Sequence, residues 1–256
     1  MAKTPGSGGV TSVERAVDVL ELMGNAQRDV GLTELAALSG LPMPTIHRLV
    51  RTLVGRGYIR QLPSRRYALG APLIRLGESA RRSMAPWARP QLAALVESIG
   101  ETANMAILDG DMVVYVAQVP SRHSMRMFTE VGRRVPAHCS GVGKAVLSQL
   151  PEAEVRELVT RAGMPARTPH TITDPDVLAA ELRLVRARGW AEDDSEAELG
   201  VRCIAVPVPG TPVVTAISVS GPQGRVTPEA AERIVPLLQR AAEELSDDPS
   251  EDASTA

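Results

Sequence analysis

Leu41-Pro42-Met43-Pro44-Thr45-Ile46-His47-Arg48-Leu49-Val50-Arg51-Thr52-Leu53-Val54-Gly55-Arg56-Gly57 is the stretch whose pattern carries most of the fold. Ile46, Leu49, Val50, Leu53 and Val54 recur at i, i+3, i+4, i+7 and i+8, the spacing of one buried helical stripe. Thr45, His47, Arg48, Arg51 and Thr52 fall on the opposite face. The pattern predicts a helix from about Pro44 to Arg56. A proline is tolerated at its start because the missing N–H has no helical partner there, and Gly57 stops it. Upstream, Thr33–Ser39 reads as a short helix with Thr33 as its cap. Leu35, Ala36 and Leu38 form its apolar side, and Gly40 lies just past its end. Leu41-Pro42 makes the turn between the two. A first helix is expected over Val13–Met23, capped by Ser12, with Val13, Ala16, Val17 and Leu20 as its stripe and Gly24 at its end. Downstream, Tyr58–Leu62 and Arg66–Leu69 alternate around a Pro63-Ser64-Arg65 corner, which reads as a β-hairpin with arginines at its tip.

Three short helices, the last of them basic, followed by an arginine-tipped hairpin, form a winged helix-turn-helix pattern. The short Gly-containing turn sets the crossing of the second and third helices. The major groove of DNA just admits an α-helix, so the polar face of the third helix is the one to present. Thr45, His47, Arg48 and Arg51 are placed to reach base edges or phosphates. Arg65 and Arg66 at the wing tip suit phosphates or the minor groove.

The charge distribution supports this. The 256 residues carry 28 basic and 30 acidic side chains, a formal charge of −2. Residues 1–90 hold 13 basic against 6 acidic side chains, and residues 91–256 hold 15 against 24. Gly40–Arg66 carries six arginines and no carboxylate. A basic first third on an acidic body points to two modules, the first meeting an anion. Arginines on a solvated helix face are the bland alternative, which leaves the absence of acids between residues 35 and 77 unexplained.

Other classes are excluded or disfavoured. Hydrophobic content of 44% and charged content of 23% are ordinary for a globular chain and exclude wholesale disorder. No apolar run reaches the roughly 18 residues of a membrane span, and residues 1–10 hold no apolar signal region. Two cysteines without a Cys-x-x-Cys give no disulfide framework and no cysteine-based zinc site. The four histidines show no paired metal spacing. Gly143-Lys144 fails as a phosphate loop, with His138 where the first glycine belongs and Ala145 where the hydroxyl belongs. A cytoplasmic protein without metal or cofactor is expected.

Beyond residue 70 the pattern changes. A flexible leader over 1–11 precedes the DNA-binding domain at 12–70, a linker helix occupies 71–89, and an α+β domain spans 90–246. Residues 247–256 read as an acidic disordered tail. In the α+β domain, helices are expected over Leu92–Ile99, Gly143–Leu150, Glu152–Arg161, Pro175–Arg188 and Pro228–Leu245. Strands are expected over Ala103–Leu108, Met112–Val119, Met125–Val131, Val201–Val208 and Val213–Val219. Asp109-Gly110-Asp111 is a hairpin signal. Met125 and Met127 would pack against the core or another subunit. Ser218 and Ser220, two apart on an otherwise apolar strand, share a face. Gly141 and Val142 sit in a glycine-rich turn entering a helix, whose backbone N–H groups suit an anion.

Ser12-Val13-Glu14-Arg15-Ala16, Leu32-Thr33-Glu34-Leu35-Ala36, Pro44-Thr45-Ile46-His47-Arg48-Leu49 and Arg66-Tyr67-Ala68-Leu69-Gly70 resemble the N-terminal domain of IclR-type bacterial transcriptional regulators. Gly132-Arg133-Arg134-Val135-Pro136-Ala137-His138 with Ser140–Ala145 resembles that family's effector-domain signature. So do Asp193-Asp194 with Glu198–Ala205, and Ala216–Pro222. The resemblance covers about residues 12–245, in order. Within the family, His123–Gly132 is most similar to the allantoin and glyoxylate regulators of actinobacteria.

The resemblance implies a GAF-like effector domain with a six-stranded sheet and flanking helices. It implies a dimer through the N-terminal domains and connecting helix, often a tetramer through the effector domains, on double-stranded operator DNA. It also implies a small organic acid effector, glyoxylate-like or allantoate-like, that changes operator affinity. The family's ligand residues map onto Gly141, Val142, Asp193, Cys203, Ser218 and Ser220. Asp193 beside an acid ligand repels it unless one group is protonated or the ligand offers a hydroxyl, as hydrated glyoxylate does. Taken singly, each residue also has a structural reading: a turn glycine, a backbone-bonded serine, a small buried thiol, or a carboxylate paired with Arg202. The enzymatic alternative is a cytosolic cysteine hydrolase of small acids or amides using Cys203; no histidine is singled out as its partner.

Overall fold

A computed structural model describes residues 9–26, 28–84, 87–127 and 130–246. Most of the leader and the acidic tail therefore lie outside the described residues. The chain divides into two compact units, Met1–Ala80 and Arg81–Ala256. The division falls inside α4 (Pro72–Met84), the helix expected as the linker.

The first unit holds α1 (Thr11–Ala26), α2 (Leu32–Ser39), α3 (Met43–Gly55) and a two-stranded sheet of β1 (Ile59–Gln61) and β2 (Tyr67–Leu69). The strands pair antiparallel, Ile59 opposite Leu69 and Gln61 opposite Tyr67. Val19, Met23, Val30, Leu35, Ile46, Val50, Leu53 and Ile59 form its core. Gly40 ends α2 in the left-handed conformation at φ 67°. The α3 stripe is buried where its spacing places it, with Ile46, Val50 and Leu53 inside and Leu49 and Val54 packed against them.

Two local expectations are corrected. Gly24 and Ser12 lie inside α1 rather than at its ends. Its buried line is Ala16, Val19, Leu20 and Met23, leaving Val13 and Val17 59% and 47% exposed. Both lines obey the same spacing, shifted by three residues, because α1 is apolar on more than one face. Thr33 does not cap α2, which starts after Gly31 without a side-chain cap.

The second unit is a six-stranded antiparallel sheet between two helical layers. Its strands are β3 (Thr102–Asp109), β4 (Met112–Val119), β5 (Arg134–Pro136), β6 (Ala191–Asp194), β7 (Val201–Val208) and β8 (Thr215–Pro222), in the order β5-β4-β3-β8-β7-β6. α5 (Arg89–Ile99) and α9 (Pro228–Ser246) cover one face, over Met105, Val116, Ile204, Val206, Ile217 and Val219. α6 (Gly141–Leu147), α7 (Glu152–Ala162) and α8 (Pro175–Arg188) cover the other, over Ala106, Val113, Tyr115, Ala205 and Ala216. Alternation along the strands sends neighbouring residues to opposite layers, except at a bulge in β4 that puts Val116 and Ala117 on the same side.

No described residue of Met125–Val131 is in a strand, and Phe128 and Thr129 lie outside the described residues. The partner of β4 is Arg134–Pro136 instead. Met125 is 72% exposed and so lies outside the core of this chain. The predicted strand at Val213–Val219 runs over Thr215–Pro222. β6 was not expected because three of its four residues are acidic.

Candidate functional site

His47, Arg48 and Arg51 stand exposed on α3, and Thr45 is partly exposed beside them. Their spacing of three and four puts them along one side, opposite the buried stripe. Among the described residues no ion pair engages Arg48 or Arg51. The wing separates its two arginines. Arg65 is exposed at the tip, where φ of 61° puts a non-glycine residue in the left-handed region and its N–H donates to Leu62 O. Arg66 instead turns inward. Its Nε donates to Asp29 O at 3.2 Å and its Nη2 to Glu34 Oε2 at 2.9 Å. Glu34, bonded by Arg28 and then by Arg66, is held below the usual carboxylate range. Arg66 therefore ties the wing to the loop before α2, while Arg65 is free to face outward.

In the second unit, Asp193, Cys203, Ser218 and Ser220 meet on one sheet face. Asp193 lies opposite Cys203, Cys203 opposite Ser220, and Ala205 opposite Ser218. Directly opposed residues share a face, here the α6 side of the sheet. All four are buried, Ser218 completely. α6 rests directly on them, since a Cβ added at Gly141 would stand 2.7 Å from Cys203 Sγ. Only glycine permits that approach. Ser140 caps α6 by accepting the Gly143 N–H, and the Cys203 sulfur lies close to the Val142 N–H. The predicted ligand residues are thus brought together, four from three adjacent strands and two from the start of α6. Seven residues give α6 little dipole, so hydroxyl and amide groups carry the polarity of the place.

Burial raises the Asp193 carboxyl to about 7, with Glu196 adding to the effect. Its Oδ1 accepts the Glu196 N–H at 2.7 Å and the Ala197 N–H at 3.3 Å, which lowers the value but does not offset burial. Asp193 so shapes the loop joining β6 to β7. Arg202 pairs with Glu192 and Asp194, not with Asp193. Tyr115 faces the same cluster, and burial, then Cys203 and Asp193, push its hydroxyl up.

Beneath this cluster runs a buried charge pair. Lys144 of α6, 1% exposed, is bonded to Glu196 and lies 3.9 Å from Glu181. Glu181 is in turn held by Arg188 at 3.0 Å. Burial raises the Glu196 carboxyl, and its Oε2 has no partner. Thr168 and Thr171 donate to Ser195 O and Glu196 O, both at 2.7 Å, and fasten the loop from outside. A cleft of about 490 Å³ opens over this seam, lined by Ala166, Arg167, Thr168, Ala197, Glu198 and Leu199, and by none of the predicted ligand residues.

The thiols are poorly suited to nucleophilic chemistry. Burial pushes Cys139 up to about 12 and Cys203 to about 11, and a nucleophilic thiolate needs the reverse. His138 is turned to Pro165 O at 3.2 Å, in a 3-10 turn with Cys139. Among the described residues no group of three or more His, Cys, Asp or Glu side chains could hold a metal, and no helix is long and apolar enough to cross a membrane.

Residues 12–63 match the IclR helix-turn-helix domain, and residues 80–247 match the C-terminal domain of bacterial transcriptional regulators of the IclR type. The chain belongs to the IclR family. It is 37% identical over 253 residues to the transcriptional repressor IclR of Escherichia coli, covering 96% of this chain and 92% of that one. It is 36% identical over 249 residues to the acetate operon repressor of Salmonella typhimurium, covering 94% and 91%. The IclR transcriptional regulator of Alicyclobacillus acidocaldarius superimposes with a TM-score of 0.80 at 31% identity, over 93% of this chain and 98% of that one. As an IclR-family member the chain is a DNA-binding transcriptional regulator, with a helix-turn-helix domain followed by a sheet-and-helix domain. The relatives named above are transcriptional regulators.

Sequence reasoning missed the pairing of Lys144 with Glu196. A lysine inside an otherwise apolar helix signalled it.

Proposed function

We propose that this IclR-family chain is an effector-responsive repressor. α3 enters the major groove of operator DNA with Thr45, His47, Arg48 and Arg51, and Arg65 supports it from the wing. A small organic acid binds at Gly141, Val142, Asp193, Cys203, Ser218 and Ser220 and changes operator affinity. The observation that carries the reading is the gathering of buried neutral polar groups against α6, around a carboxyl raised toward neutrality. Such a place favours a small anion or its acid over a metal or a bulky apolar ligand. Glyoxylate, whose hydrate offers hydroxyls to Asp193, is our candidate. The regulator works in the cytoplasm as a dimer or tetramer, with half-sites one or more DNA turns apart, about 34–36 Å each.

Arg48→Ala and Arg51→Ala are each expected to weaken operator binding by about 1–3 kcal/mol while sparing effector affinity. A phosphate contact also lowers the salt dependence of binding; a base contact relaxes specificity at one position. Unchanged affinity in both variants, measured by titration on operator DNA, sinks the α3 assignment. In the pocket, the Ser218→Ala/Ser220→Ala variant is expected to bind DNA normally but lose its response to glyoxylate. Undiminished glyoxylate binding by calorimetry in that variant refutes the ligand site.

A further inference from the structure

The face that gathers Ser218 and Ser220 carries another polar residue in β3. Asn104 is completely buried, and its Nδ2 has no hydrogen-bond partner. It lies directly opposite Ser218 across the β3–β8 pair, and Ser218 Oγ, beside the Cys203 sulfur, is likewise buried with no nitrogen or oxygen partner. Opposed side chains in an antiparallel pair have Cβ atoms about 4.5–5.5 Å apart, so one small molecule can meet both. Thr102, the next residue on this face, is already engaged, accepting the Ser121 N–H and donating to Met127 O.

We propose that Asn104 is a ligand-positioning residue of this pocket, donating an amide N–H to an oxygen on the carbon next to the ligand carboxylate. The inference rests on the reading of the pocket as an organic-acid site. Gln118 of β4 donates to Asn104 Oδ1 at 3.0 Å and so holds the amide in place. With Oδ1 occupied by Gln118, the Nδ2 group is the part of the amide left to donate. An amide N–H donates only, so it selects an acceptor on the ligand, whereas a serine hydroxyl accepts or donates. The donor is neutral and offers no salt bridge to compete for the carboxylate. A ligand lacking the second oxygen leaves the buried amide unpaired, which is how hydrogen-bonding sites reject such analogues.

Pyruvate and propionate differ at that carbon and serve as probes for calorimetry on the full chain. The wild type is expected to bind pyruvate at least tenfold tighter than propionate. Asn104→Leu, close in size and without a donor, is expected to lose most of that preference by weakening pyruvate alone, with no loss of melting temperature. Asn104→Ser, which keeps a hydroxyl donor, is expected to retain part of the preference, and it carries the comparison if the leucine variant does not fold. A wild-type preference that survives in these variants overturns the role of Asn104 and leaves the pocket standing. So does equal binding of the two acids by the wild type. Binding of neither acid nor of glyoxylate by the wild type, or binding unchanged in Ser218→Ala/Ser220→Ala, overturns the pocket reading and the proposal with it.

Discussion

Lys144→Met is expected to lower the unfolding free energy of the second unit by about 3–5 kcal/mol. Lys144 is 1% exposed, and its ammonium is the cation bonded to Glu196. Methionine fills much the same volume but leaves the Glu196 carboxylate buried, with Glu181 as a second negative group nearby. An uncompensated buried charge costs far more than the net worth of the pair, because desolvation was offset only by the partner. The same argument predicts that Lys144→Met/Glu196→Gln recovers most of the loss, since an amide carries no charge to strand. Thr171 bonds the Glu196 carbonyl and Asp193 bonds its N–H, so the backbone there survives the side-chain change. Trp87 and Trp190 both lie in the second unit, and their fluorescence during urea unfolding reports it separately from the first. A folded domain has only about 5–15 kcal/mol to lose, so the single variant should melt many degrees lower. An unfolding free energy within about 0.5 kcal/mol of wild type, the scatter of surface substitutions, would mean that Glu196 sheds its charge at no cost.

What the sequence disclosed follows from what each element buries. α3 and α8 were legible because each buries one stripe and carries a proline at its start. β4 and β7 were legible to the residue because both run through the sheet interior, where β-branched residues concentrate. α1 misled because two lines of apolar residues satisfy one period, and only tertiary packing chooses between them. β6 was silent because an edge strand of four residues tolerates three carboxylates.

The candidate site divides in the same way. Ser218 and Ser220 stood out as a polar alternation in an apolar strand. Asp193 and Cys203 could be named only through a family resemblance, since register across three strands is invisible in a linear pattern. Asn104 escaped for that reason too, its meaning arising from the residue opposite it on β8. The wing arginines were adjacent in sequence and indistinguishable there; left-handed backbone at Arg65 sends one outward and Glu34 takes the other.

Asp193 supplies the other large expected effect, and its sign is set by burial. Burial raises the folded carboxyl to about 7, well above the roughly 3.9 of an aspartate in water. Between about pH 4 and 7 the native state therefore keeps a proton that the unfolded chain has released. Unfolding free energy falls as pH rises through that window. Above 7 both states are ionised and the penalty is constant; below 4 both are protonated and it vanishes. Three units correspond to about 4 kcal/mol at full extent. Asp193→Asn mimics the protonated form, because both backbone N–H groups at the loop reach Oδ1 and the amide keeps that oxygen. The variant is expected to match wild type near pH 4 and to exceed it increasingly up to pH 8, by as much as about 4 kcal/mol. Glu196 is also raised by burial and slopes the same way, so the difference between the two proteins isolates Asp193. Ligand binding should show the same proton. If an acid enters beside a neutral Asp193, wild-type affinity for glyoxylate falls about tenfold per pH unit above 7 and stays level in Asp193→Asn. Parallel pH profiles for the two proteins, in stability and in binding alike, would place the raised carboxyl elsewhere and leave Asp193 as a loop cap.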